Sequence, residues 1–166
     1  MNEINNISKK LVEILNNKKL QITAMESCTG GFFLSCITNI NGSSNITEGG
    51  LVTYSNNTKI KNGVDKKCID QYGVYSKETA ISMAKACKIQ KSNKEKTIGV
   101  GITGFLSGID TNSKLSKVYY SIDYTDGKTS ASEITLDTGI ERYNMKKFIV
   151  KIIMNEIIKY LENKEK

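Results

Sequence analysis

The sequence holds 24 lysines and arginines, 17 aspartates and glutamates, four cysteines and no histidine. The missing imidazole decides which chemistries are open, because any mechanism that needs a histidine base is excluded. Serine is a weak nucleophile at its own pKa and needs an adjacent base. In this chain lysine is the best candidate for that base. A lysine accepts a proton only when it is partly neutral. Its reference pKa is about 10.4, and burial or a neighbouring cation must lower it by roughly three units, about 4 kcal/mol of differential solvation. A protein bears such a shift at a functional site. Composition does not choose the serine or the lysine; for any single lysine the alternative is a solvated surface residue. The cysteines Cys28, Cys36, Cys68 and Cys87 form no C-x-x-C pair. A zinc site of the Cys/His kind is therefore not expected, and they read as small core residues, with Cys28 alone beside a polar turn.

Three polar segments follow apolar runs: Glu26–Gly31, Tyr54–Lys59 and Thr103–Gly108. The elements that would position them can be read from periodicity. Ile4, Ile7, Leu11, Ile14 and Leu15 recur at helical spacing, which predicts an amphipathic helix over 3–18. Leu20–Met25 reads as a short buried strand, then a glycine-containing turn, then a helix over 32–40. A second strand is expected over Gly49–Tyr54, a turn or short helix over 55–61, and a short helical piece over 68–72. Ser76 is a good N-cap for a helix over 77–91, with Glu78 in its first turn. Thr97–Thr103 reads as a buried strand and 104–116 as a long loop. Two alternating runs, 117–123 and 129–137, flank Asp126-Gly127, a strong hairpin signal. Met145, Phe148, Ile149, Ile152, Ile153, Tyr160 and Leu161 define a long helix over 142–163.

Alternating strands and helices predict an α/β fold, a three-layer α/β/α sandwich with a mixed, mostly parallel sheet and an antiparallel edge from the hairpin. The 166 residues form one expected domain, 1–166. In such sheets ligands sit off the carboxyl ends of the strands, so the three polar segments should converge on one crevice. The net charge is +7, but the lysines are scattered rather than clustered. That pattern reads as a solvated surface, not a nucleic-acid patch. No apolar run approaches the roughly 20 residues of a membrane span. The first ten residues carry no signal-peptide core, so a cytoplasmic location is expected.

Met25-Glu26-Ser27-Cys28-Thr29-Gly30-Gly31 resembles the glutamate-serine-cysteine-threonine-glycine-glycine signature of the CinA C-terminal family, which includes the nicotinamide-nucleotide amidases. Asn41-Gly42-Ser43-Ser44 is similar to that family's glycine-serine-serine segment. Tyr54-Ser55-Asn56, followed by Lys59, is similar to its tyrosine-serine-asparagine-x-x-lysine strand end, and Tyr72-Gly73-Val74-Tyr75-Ser76 to its lead into the next helix. The resemblance runs from about residue 8 to 160. It implies Ser44 as nucleophile, Lys59 as the base that takes its proton and Tyr54 as an assisting phenol. It also implies Ser27, Thr29 and Gly30 as the turn lining the pocket, Thr103 as a strand-end hydroxyl, and Arg142 as the partner of a substrate phosphate. Backbone N–H groups near Gly42–Ser44 would hold the oxyanion.

The activity so implied is conversion of nicotinamide mononucleotide to nicotinic acid mononucleotide and ammonia, in pyridine-nucleotide salvage. No metal and no cofactor is implied, and a homodimer is. The stand-alone form of the family is what the resemblance leads one to expect. Read as residues alone, the same positions keep plainer alternatives. Ser43-Ser44 can be loop serines, Tyr54 a core aromatic, Ser27 and Thr29 helix caps, and Thr103 a partner for a strand-end backbone group. Glu26 reads as a residue that orients its neighbours and the helix start. The segment Thr103-Gly104-Phe105-Leu106-Ser107-Gly108-Ile109-Asp110 lacks the family's proline and carries bulkier apolar residues. Gly139-Ile140-Glu141-Arg142 has one residue more than the family's glycine-aspartate-arginine. A substrate-shifted or non-catalytic nucleotide-binding relative is the alternative those departures suggest.

Overall fold

The computed structural model describes residues 3–107, 115–137 and 139–164. Helix α1 spans Glu3–Lys18, strand β1 Gln21–Glu26, α2 Phe32–Thr38, β2 Leu51–Val52 and α3 Asn56–Lys61. They are followed by α4 (Lys66–Tyr72), α5 (Lys77–Ile89), β3 (Thr97–Phe105), β4 (Leu115–Asp123), β5 (Thr129–Asp137) and α6 (Arg142–Asn163). The sheet order is β2-β1-β3-β4-β5. Strand β1 pairs in parallel with β2 and with β3, while β3–β4 and β4–β5 are antiparallel. Four of the five strands therefore share one direction, and β4 alone opposes them. Helices α1, α2 and α6 cover one face, and α5 with α4 the other. This is the three-layer α/β sandwich that the alternation of elements predicts.

The side-chain pattern explains the layering. On β1, Ile22 and Ala24 enter the core beneath α1, α2 and α6, while Met25 enters the smaller core with Met83 and Cys87 of α5. That is the period of two of a strand buried on both faces. On β3, Ile98, Val100 and Ile102 face the larger core. Gly99 and Gly101 face α5, where an added Cβ would lie 2.3 Å from the Ala84 carbonyl and 2.1 Å from the Ala80 carbonyl. Helix α5 thus rests on the bare backbone of β3, and any larger residue there would push the layers apart. Ser76 caps α5 by accepting from the Thr79 N–H at 3.1 Å.

Two expected elements differ in extent. The second strand shrinks to Leu51–Val52, because Gly50 lies against the Ala24 carbonyl and Thr53 already turns toward α3. The third strand runs on to Phe105, since Thr103, Gly104 and Phe105 pair with Tyr119, Val118 and Lys117 of β4. The expected loop over 104–116 is correspondingly shorter, and its residues 108–114 lie outside the described residues. Among the described residues no helix is long and apolar enough to cross a membrane.

Candidate active site

Strand β1 ends at Glu26, and the chain turns sharply through Ser27-Cys28-Thr29-Gly30, closed by a hydrogen bond from the Gly30 N–H to the Ser27 carbonyl at 3.0 Å. The turn is held by the fully buried Glu26 carboxylate. It accepts from the N–H groups of Gly31 (3.1 Å), Phe33 (3.1 Å) and Leu34 (3.0 Å). A carboxylate is well matched to these orphan donors of the first helical turn. Glu26 is therefore the orienting group that its place in the sequence suggests.

The second segment brings the lysine. Ser55 caps α3 by accepting from Thr58 N–H, which sets Lys59 one turn in and pointing back at the sheet. Lys59 is only 1% exposed. Its Nζ lies 3.0 Å from Ser27 Oγ, 2.8 Å from the Thr53 carbonyl and 3.5 Å from the Tyr54 carbonyl. Among the described residues no carboxylate is paired with it, and burial pushes its pKa below the ordinary lysine value. Nζ donates to the Ser27 hydroxyl and to the two carbonyls; once it has lost a proton, the same amine would turn a lone pair toward Ser27 Oγ.

Around Ser27 and Lys59 opens a cleft of about 240 Å³, lined also by Cys28, Tyr54, Asn56, Val74, Tyr75, Gly104, Phe105, Leu106 and Arg142. Tyr54 is 67% exposed on its rim, which removes the reading of a core aromatic. Its hydroxyl accepts from Arg142 Nη2 at 3.5 Å, and Arg142 Nη1 donates to the Leu106 carbonyl. Burial pushes the Cys28 thiol up to about 12, so it remains protonated and inert despite lining the cleft.

Ser44 is not at this cleft. It is exposed within a short 3-10 turn, Ser43–Asn45. The adjoining Ile46 carbonyl accepts from the N–H of Ile22, near the start of β1. Ser27 follows the other end of that strand, roughly 16 Å away at 3.3 Å per residue. Ser44 therefore lies too far from Lys59 to pass it a proton, and the serine beside Lys59 is Ser27. The Gly42–Ser44 amides are at the wrong end for an oxyanion too, and Ser43 N–H already donates to Ile40. Thr103 is likewise corrected: it is fully buried, and its hydroxyl donates to the Val74 carbonyl at 2.9 Å instead of entering the cleft. Thr29 is buried behind the turn, and Gly30, at φ 62°, supplies its left-handed bend.

The family profile described as CinA C-terminal domain matches residues 4–161. The chain belongs to that family. It is 38% identical over 130 residues to a putative competence-damage inducible protein of Alkaliphilus oremlandii, an alignment covering 76% of this chain and 30% of the relative. It is 43% identical over 99 residues to a protein of the same description from Limosilactobacillus reuteri, covering 59% of this chain and 23% of that protein. The chain thus spans less than a third of the length of these relatives. The crystal structure of competence/damage inducible protein CihA from Agrobacterium tumefaciens superposes with a TM-score of 0.82 at 23% identity, over 98% of this chain and 97% of that one. At that identity the likeness is one of fold.

Within this CinA domain, two residues near the site, Thr53 and Lys146, went unread in the sequence. Thr53 is fully buried with its hydroxyl unpartnered among the described residues, as is that of Thr29. Lys146 of α6 brings its Nζ within 3.4 Å of where a Cβ on Gly30 would stand. Its spacing of four from Arg142 places both cations on one face of α6, a signal that was available in the sequence.

Proposed function

We propose that this CinA domain is a carboxamide hydrolase in which Ser27 is the nucleophile and Lys59 its base, acting on nicotinamide mononucleotide in intracellular pyridine-nucleotide salvage. The observation that carries the reading is the buried Lys59 amine 3.0 Å from the Ser27 hydroxyl, with no carboxylate among the described residues to hold its proton. Lys59 takes the Ser27 proton as Oγ bonds to the carboxamide carbon. The tetrahedral oxyanion faces the Asn56 amide and the Tyr54 phenol, donors that line the cleft. Lys59 returns the proton to the nitrogen as the C–N bond breaks, and ammonia leaves. Water then attacks the acyl-serine, giving a proton to Lys59; as the acyl C–Oγ bond breaks, Lys59 passes that proton to Ser27 Oγ and nicotinic acid mononucleotide departs. Tyr54 assists these transfers, and Arg142 meets the substrate phosphate as a fork of N–H donors. The reaction so written uses only side chains of this chain. A homodimer accompanies the reading, and light scattering at one chain's mass would remove it.

The test is ammonia release from nicotinamide mononucleotide by the purified protein. Turnover that vanishes in Ser27→Ala and in Lys59→Ala supports the reading. Full turnover in Ser27→Ala, or binding of the nucleotide without ammonia from the unaltered protein, overturns it.

A further inference from the structure

The far wall of the cleft carries two aromatic rings that nothing in the proton-transfer chemistry uses. Tyr75 is 50% exposed and Phe105 is 40% exposed, and both line the cavity that holds Ser27 and Lys59. Their ring centroids are 6.5 Å apart with the planes tilted by 54°. Elsewhere in the molecule rings satisfy one another. Tyr124 and Tyr160 stack at 3.7 Å and 18°, and Phe32 meets Tyr143 edge-on at 5.6 Å. The Tyr75–Phe105 pair does neither. It sits at the outer limit of ring–ring contact, tilted between stacked and edge-on, and the two half-exposed rings bound a notch in the cleft wall.

The notch is also held in place. Thr103, two residues before Phe105, donates to the carbonyl of Val74, the residue before Tyr75, at 2.9 Å. One buried hydrogen bond thus ties the two ring-bearing segments together. Ser76, just after Tyr75, is fixed by donating to the Gly73 carbonyl at 2.9 Å while capping α5. Gly104 lies so close to β4 that an added Cβ would meet the Lys117 carbonyl at 2.4 Å, which pins the strand end bearing Phe105.

We propose that Tyr75 and Phe105 are the specificity-determining residues that grip a flat, electron-poor heteroaromatic ring whose carboxamide is presented to Ser27, with Thr103 as the positioning residue of the notch. The inference rests on the carboxamide-hydrolase reading for the direction in which the ring points, but not for the ring grip itself. A planar ring can pack at about 3.5 Å against the exposed face of either side chain. A pyridinium carrying positive charge is drawn to the face of a tyrosine by its quadrupole. Arg142, on the rim with Tyr54, is left to meet a phosphate.

The chain contains no tryptophan, so Phe105→Trp places a single indole in the notch. Titrating that variant with nicotinamide mononucleotide should quench its emission saturably, whereas ribose 5-phosphate, which has the phosphate but no ring, should not. Adding Tyr75→Leu should move the midpoint up by about tenfold, the weight of one lost stack. In steady-state assays Phe105→Leu should raise KM about tenfold with kcat nearly unchanged, and Phe105→Tyr should restore it. Thr103→Val should raise KM in the same way, and Thr103→Ser should reverse it. Equal quenching by both ligands, no quenching by the nucleotide, or a fall in kcat at constant KM would each overturn the proposal. Saturable, ring-dependent quenching in a protein that releases no ammonia would uphold the notch and sink only the hydrolase reading.

Discussion

The two ends of β1 are both flanked by small polar residues, yet they are physically different places. At the amino end, Ser43–Asn45 forms an exposed turn that Asn45 Nδ2 ties to Asn16 Oδ1 at a long 3.4 Å. At the carboxyl end, Ser27 is 6% exposed, Glu26 is fully buried and Lys59 reaches in from the neighbouring α3. The difference follows from strand direction. Parallel strands β1, β2 and β3 all release their chains at the same edge, so segments distant in sequence meet there. At the opposite edge the chain merely returns to begin a strand. The proposed nucleophile, Ser27, stands where buried groups converge, and Ser44 does not.

The strongest way to break this comparison is to remove each serine. Ser27→Ala and Lys59→Ala should each lower ammonia release by on the order of 10³-fold or more, while Ser44→Ala should stay within about twofold. Ammonia release from 1 mM nucleotide measures all three, and a large loss in Ser44→Ala would reverse the assignment. A second contrast concerns stability. Glu26→Ala leaves three N–H groups at the start of α2 without an acceptor and should cost about 3 kcal/mol in urea unfolding. Asn45→Ala, at the exposed end, should cost less than about 0.5 kcal/mol. Equal losses would show that the two ends are built alike. A third contrast lies in pH. Because burial lowers the Lys59 pKa, the rate should climb about tenfold per unit on its acid limb and level off below pH 10.5. A limb that keeps rising to 10.5 would mean an ordinary, hydrated amine.

The fold was legible because its signals are redundant. Helix α6 carries apolar residues at helical spacing through its length, and the Asp126-Gly127 turn is flanked by two alternating runs. The site was legible in part. Lys59, Tyr54 and Arg142 sit on or next to element ends that the pattern locates, and they do reach one cleft. Ser44 misled because a glycine-serine-serine loop looks the same at either end of a sheet. Only the pairing of Ile22 with Ile46 fixes which end it occupies. Thr103 misled for a related reason: it shares a face of β3 with Phe105, two residues on, but the 73–76 turn covers Thr103 and leaves Phe105 exposed beyond it. The notch between Tyr75 and Phe105 depends on a contact between segments 30 residues apart, which no local pattern encodes.

The smallest expected effect separates the two ends through their titrations, and its sign can be worked out. Burial raises the thiols of Cys28 and Cys87 to about 12 and that of Cys36 to about 11, against an ordinary value of 9. Above pH 9 the unfolded chain therefore loses protons that the folded chain keeps. The stability these thiols contribute is complete below pH 9 and is lost as pH rises toward 11 and 12. Lys59 acts in the opposite sense. Its folded pKa is lowered, so between that value and 10.5 the unfolded chain holds the extra proton and stability rises with pH. With three thiols against one amine, the urea midpoint should fall from pH 9 to 10.5. Removing Lys59 as Lys59→Met should steepen that fall, because the opposing proton is gone, and Cys28→Ala should make it shallower. Both changes are made at the carboxyl end of β1, where the two groups line one cleft, whereas Ser44→Ala should leave the slope untouched. If Lys59→Met left the slope unchanged, the amine would be titrating as it does in the unfolded chain, and the base assigned to Ser27 would be no base at all.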